Sequence, residues 1–110
     1  MPAGQPLGEF EQLVMLGVLQ SGADAYGVPV WREIEARAAR SVSIGAVYKT
    51  LDRLESKGFV RSHTGQPTAE RGGRSKRVYR VTAPGLRVLR GSLGALARMA
   101  GGLEGLLGTR

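Results

Sequence analysis

Apolar spacing changes character at Gly58, and that change restricts the fold more than any other feature. Before it, hydrophobic residues recur at intervals of three and four; directly beyond it, as far as Thr82, two short segments have strand character instead. Ile44, Val47, Leu51 and Leu54 form the clearest helical run, with Ser43 as its N-cap and Gly58 where a left-handed residue would end it. Two earlier segments obey the same spacing. From Gly8 to Gln20, Phe10, Leu13, Val14, Leu16, Gly17 and Val18 fall mostly at helical intervals, and Gly22 supplies a stop. Glu9 and Glu11 stand in its first turn, where the helix dipole favours acids. Residues 21–26 read as a turn. Gly27 begins a second helix, with Pro29 in its first turn and Val30, Trp31, Ile34 and Ala38 on its apolar side. Residues 1–8 read as a loose tail. The short turns between the three helices predict a compact trihelical unit.

Beyond Gly58, Phe59 to Thr64 and Lys76 to Thr82 have strand character. Gly65 to Ser75, with Pro67, Gly72 and Gly73, is too long for a tight turn and too polar for core, so it reads as a projecting hairpin loop. Thr82 caps a fourth helix with Pro84 in its first turn. Leu86, Leu89, Leu93, Leu96, Ala100, Leu103 and Leu107 then alternate spacings of three and four, the seam of a coiled coil. Glycines at 91, 94, 101, 102 and 105 oppose that helix, each by ~1 kcal/mol relative to Ala. It therefore needs a packing partner; folding back on its own domain, or fraying after Ala100, is the other reading. The expected class is α+β, mainly α: a winged helix-turn-helix of three helices and a hairpin wing over residues 7–82, followed by a C-terminal dimerisation helix over 83–108.

Charge is placed unevenly on this frame. Sixteen Lys and Arg against nine Asp and Glu give +7 over 110 residues. Residues 1–31 hold no basic residue, while residues 61–90 hold eight against the single acid Glu70. A patch this concentrated suits a polyanion. Several other chemistries are disfavoured. The chain has no cysteine and one histidine, His63, which argues against disulfides, thiolate zinc sites, a metal centre and a conventional triad. Glu33 and Glu35 diverge by about 200° around a helix, so they form no catalytic pair. The longest apolar run, Leu13 to Leu19, is far short of a membrane span, and no basic residue precedes it as in a secretory signal. A non-enzymatic protein of the cytoplasm without cofactors is expected.

Duplex DNA admits one helix into its major groove while flanking basic groups meet phosphates. On the third helix the face opposite the apolar run carries Gly45, Lys49, Asp52, Arg53 and Ser56. Gly45 is small enough for close approach, Lys49 and Arg53 reach guanine edges or phosphates, and Asp52 orients Arg53 or a neighbour. Arg71, Arg74, Lys76 and Arg77 surround Gly72–Gly73 in the loop and suit a narrow minor groove or a phosphate clamp. That loop lacks the spacing of a Walker motif.

Three segments together carry a family resemblance: LGEFEQLVMLGVLQSGADAYGVPV (7–30), SVSIGAVYKTLDRLESKGFVRS (41–62) and ERGGRSKRVYRVTAPG (70–85). Over roughly residues 7–90 the chain resembles the PadR family of transcriptional regulators, most specifically through Ser43, Gly45, Tyr48, Leu51, Leu54–Glu55 and Gly58. The resemblance implies a homodimeric winged-helix protein, usually a repressor, that dimerises through its C-terminal helix and often its first helix. It places the third helix in the major groove with Tyr48 at the DNA-facing edge, and basic contacts at Arg71, Arg74, Lys76 and Arg77. The single C-terminal helix is similar to that of the shorter subgroup. Drug-binding relatives carry a tryptophan on the last helix, whereas here no aromatic residue follows Tyr79, so nothing in the sequence supports a small-molecule effector. Trp31 is read as core or interface packing, Tyr26 and Tyr79 as packing residues, and His63 as an exposed strand residue.

The expected partner is therefore double-stranded DNA, bound by a homodimer at an inverted repeat. Ser43, Gly45, Tyr48, Lys49, Arg53, Arg71, Arg74, Lys76 and Arg77 form the expected DNA surface, and Leu86, Leu89, Leu93, Leu96, Ala100 and Leu103 the dimer seam. A protein-interaction module with an acidic partner, or an RNA-binding winged helix, would use the same basic face.

Overall fold

Capping residues set where the elements begin and end. The computed structural model describes residues 7–65 and 76–108. It contains α1 (Glu9–Ser21), a 3-10 turn (Gly22–Asp24), α2 (Gly27–Arg37), α3 (Ile44–Ser56), β1 (Val60–Thr64), β2 (Arg77–Val81), α4 (Ala83–Ala100) and α5 (Glu104–Leu107). At the head of α3, Ser43 Oγ accepts the Ala46 N–H at 3.0 Å. At its foot, the Phe59 N–H donates to the Leu54 carbonyl at 2.9 Å and the Gly58 N–H to the Glu55 carbonyl at 3.0 Å. This paired closure requires the left-handed φ of 81° at Gly58. Thr82 Oγ1 accepts the Gly85 N–H at 3.1 Å and donates to the Gly58 carbonyl at 2.7 Å, so one hydroxyl ties the start of α4 to the end of α3.

The two strands pair antiparallel, from Val60 opposite Val81 to Thr64 opposite Arg77. The Tyr79 N–H donates to the Ala25 carbonyl at 2.8 Å, which joins the segment before α2 to the sheet. The result is the mainly helical winged helix-turn-helix expected from the spacing. Val14, Met15, Val30, Val47, Leu51 and Leu54 are wholly buried between the three helices, and Val60, Tyr79 and Leu89 close the core from the hairpin and α4. The connector after α2 is held by two bonds to Val42: Trp31 Nε1 donates to its carbonyl at 2.8 Å, and its N–H donates to Glu35 at 3.0 Å.

Three expectations need correction. Leu7 is not part of a loose tail: it is buried, and its N–H meets Ser92 Oγ at 3.4 Å. On α1 Val14, Gly17 and Val18 are buried together with Met15, which the spacing did not single out, and Phe10, Leu13 and Leu16 pack partly buried against the core. A nearly continuous apolar stretch hides which side faces in, because periodicity needs polar residues for contrast. The seam of leucines does not run on one helix to Leu107. α4 ends at Ala100, Gly101 is extended and Gly102 has a φ of 88°, so Leu103 lies on a turn and Leu107 on the separate one-turn α5. Two adjacent glycines remove the helical preference where the seam needed it.

Candidate nucleic-acid interface

The outer flank of α3 is bare. Gly45, Tyr48, Lys49, Asp52, Arg53 and Ser56 are exposed, while Val47, Thr50, Leu51 and Leu54 are buried beneath them. Helical spacing alone produces this division, and Ser43 fixes the end from which it is counted. The three ion pairs among the described residues are Arg37–Glu33, Arg40–Glu9 and Lys57–Glu11. None includes Lys49 or Arg53. Asp52, expected to orient Arg53 or a neighbour, forms none of them; it lies near enough to Tyr79 for its charge to act on the phenol. Burial first, and then that charge, push the Tyr79 pKa up.

Tyr48 does not stand free on the flank. Its ring and hydroxyl lie against the backbone of Gly27, occupying the space a Cβ there would fill. One residue earlier, the Tyr26 ring carries the Lys76 ammonium 4.2 Å from its centroid, a cation–π contact. The start of α2 therefore touches both α3 and the base of the hairpin. Of the expected DNA-binding residues, the structure gathers Tyr48 and Lys76 around this point. Ser43, Gly45, Lys49 and Arg53 lie along α3, and Arg77 is exposed opposite Thr64. Arg71 and Arg74 lie outside the described residues.

Sequence reading missed Tyr26 and Gly27 as parts of this surface. A glycine at a helix start signals conformational freedom; that it receives a ring from a residue 21 positions later is a tertiary fact. It also missed the ion pair that seats α3. Lys57 Nζ meets Glu11 at 2.7 Å, with the Glu11 carboxylate also accepting the Gly8 N–H at 3.0 Å. At the other side of the unit, both Arg40 terminal nitrogens meet the two Glu9 carboxylate oxygens, at 3.1 and 3.2 Å. α1 thus holds both the connector before α3 and the residue after it.

The arrangement presents a rod with an uncovered polar flank beside a basic hairpin, which fits a grooved polyanion. No helix among the described residues is long and apolar enough to cross a membrane. A family model described as "Transcriptional regulator PadR-like family" matches residues 15–91. A PadR family transcriptional regulator from Eggerthella lenta is similar in structure, with 30% identity, a TM-score of 0.65, and coverage of 93% of this chain and 88% of that one. A PadR-like transcriptional regulator from Bacillus cereus has 19% identity and a TM-score of 0.68, over 92% of this chain and 93% of that one. A PadR family regulator from Clostridium difficile has 18% identity and a TM-score of 0.66, over 89% and 97% respectively. The last two likenesses speak to the fold alone. No curated protein sequence matches the chain.

Proposed function

This chain belongs to the PadR-like family of transcriptional regulators, proteins that bind DNA, and we propose that it acts as a homodimeric repressor on an inverted-repeat operator. The observation that supports the reading is that α3 and the hairpin base both touch the start of α2, through Tyr48 on Gly27 and Lys76 over Tyr26, which sets the bare flank of α3 close to the basic end of the hairpin. In this reading α3 enters the major groove. Ser43 and Gly45 lie closest to the backbone, Tyr48 meets the groove edge, and Lys49 and Arg53 read bases. Arg71, Arg74, Lys76 and Arg77 meet phosphates or the minor groove.

Residues 7–82 form the DNA-binding domain and residues 83–108 the dimerisation segment. Leu93, Leu96 and Leu103 are exposed, at 39%, 63% and 45%, which leaves them available to a second copy. Leu89 is occupied by the core of its own chain, with Leu86 half-buried beside it. The cytoplasm is the proposed place of action. Footprinting combined with sedimentation tests the whole reading. Protection of two half-sites about 34–36 Å apart by a dimer is expected; a single asymmetric half-site held by a monomer would overturn it. Preference for RNA or for an acidic protein over duplex DNA, at matched salt, would favour the other uses of the basic face.

A further inference from the structure

Arg61 and Arg80 stand directly opposite one another across the β1–β2 ladder, and both are exposed. Directly opposed side chains on an antiparallel pair have Cβ atoms about 5 Å apart, and like charges there repel. Their face of the hairpin is the one turned away from α3. The rungs that alternate with it, Ser62–Tyr79 and Val60–Val81, hold the buried Tyr79 and Val60, and Ser62 Oγ donates to Glu55 of α3 at 2.7 Å.

The arginine face lines a groove of about 910 Å³ whose opposite wall is the end of α1, at Val18 and Leu19. His63 and Val78, the rung on the same face as the arginines, contribute to the hairpin side, and Ala83 and Pro84, in the first turn of α4, also line it. Leu19, 46% exposed, is a large apolar side chain lining the same groove as the two arginines. The groove therefore joins a paired positive site to an apolar wall. A carboxylate set between two guanidinium groups accepts forked hydrogen bonds from both and turns their repulsion into shared attraction.

We propose that this groove binds an apolar carboxylate, with its head between Arg61 and Arg80 and its chain along Leu19 and Val78. The apolar wall favours such a ligand over a phosphodiester polymer, whose charge repeats along its whole length. The site stands apart from the operator reading, because its arginines face away from α3. It spans the hairpin, the end of α1 and the start of α4, so occupancy is linked to how the hairpin sits on the helices. Only strand register reveals it, since the two arginines are far apart in sequence.

The test is calorimetry and NMR titration of the full chain without DNA, using decanoate and octanoate below their micelle concentrations, with acetate and 1-octanol as controls. Saturable binding of one decanoate per chain is expected, about tenfold tighter than octanoate because two more methylenes are buried. Arg61→Gln with Arg80→Gln should weaken decanoate at least tenfold while leaving the melting temperature within a few degrees, and Leu19→Gln alone should weaken it severalfold. Met99→Gln with Leu106→Gln, both exposed and away from the groove, should leave it unchanged. Equal binding of octanol and octanoate, or of the double arginine variant and the parent, would overturn the proposal. Acetate binding as tightly as decanoate would mean an adventitious anion only. Polyglutamate binding that needs both arginines, in the absence of decanoate binding, would replace the small molecule with an acidic protein segment.

Discussion

The phenol of Tyr48 rests where a Cβ would project from Gly27, so α3 meets the start of α2 through an aromatic ring on bare backbone. Gly27→Ala puts a methyl group into that ring. Tyr48 is 43% exposed and its clashing atoms are at the far end of the side chain, so the ring moves and the fold survives. We expect a stability change within about 1 kcal/mol, since overpacking is costly only where atoms cannot yield. Operator affinity should fall about tenfold. In Gly27→Ala/Tyr48→Ala the glycine change should add almost nothing to the effect of Tyr48→Ala, because both act on one contact. Thermal melts and DNA titrations of the three variants check this.

Base reading and phosphate contact separate by their salt dependence. Lys49→Ala or Arg53→Ala should each cost about 1–3 kcal/mol at the preferred operator and relax the choice of base at one position. Replacing Arg71, Arg74 and Arg77 together should weaken all sequences alike and reduce the salt slope by about 0.9 for each phosphate no longer neutralised. Binding selections from a random DNA pool, and titrations at several salt concentrations, distinguish the two sets.

A second glycine has no yielding neighbour. A Cβ on Gly85 would overlap the backbone carbonyl of Phe59, beneath the first turn of α4. Gly85→Ala must move the helix or the strand entry, and we expect a destabilisation of about 2 kcal/mol or more. Urea unfolding measures it directly.

Acid should loosen the seat of α3. Burial of Glu11 favours its neutral form, but the hydrogen bond from Lys57, the Gly8 N–H and the charges of Lys57 and Arg53 together outweigh it, and its pKa lies below the ordinary 4.5. The hydrogen bond and charge of Arg40 lower that of exposed Glu9 in the same direction. A carboxyl depressed in the folded state stabilises above its unfolded pKa, and the contribution disappears as pH falls through the folded value. The melting temperature should hold from pH 7 to about pH 5 and drop below about 4.5; Glu11→Gln should start lower at neutral pH and fall less steeply.

Signals carried by single residues were legible in the sequence. Ser43, Thr82 and Gly58 each act on backbone groups a few positions away, so the edges of α3 and the start of α4 follow from local chemistry. The exposed flank of α3 was legible for the same reason, since one clear period separates Lys49 and Arg53 from Leu51 and Leu54. What escaped depends on meetings between distant segments: Lys57 with Glu11, Tyr48 with Gly27, Lys76 with Tyr26. Local spacing has no access to those. Met15 was hidden by apolar neighbours on nearly every side of α1, and Leu7 by a Pro- and Gly-rich approach that obscured its return to α4.

Two leucines of the expected seam should behave differently. Leu89 is 2% exposed within its own chain, so Leu89→Ala should lower stability by about 2–5 kcal/mol at any protein concentration. Leu96 is 63% exposed. Leu96→Glu should leave the monomer folded, shift sedimentation toward the monomer and make DNA binding strongly concentration-dependent. Unchanged sedimentation would remove Leu96 from the interface between copies.

The hairpin ladder also governs how this protein can diverge. With Val60 opposite Val81 and Thr64 opposite Arg77, one residue inserted beside Tyr79 would swap inside and outside for part of the strand and send an arginine toward the space of the phenol. Residues added between 65 and 76 shift no rung. Descendants of this chain can therefore lengthen or shorten their reach at that single gap, whereas the paired stem admits only exchanges of one side chain for another.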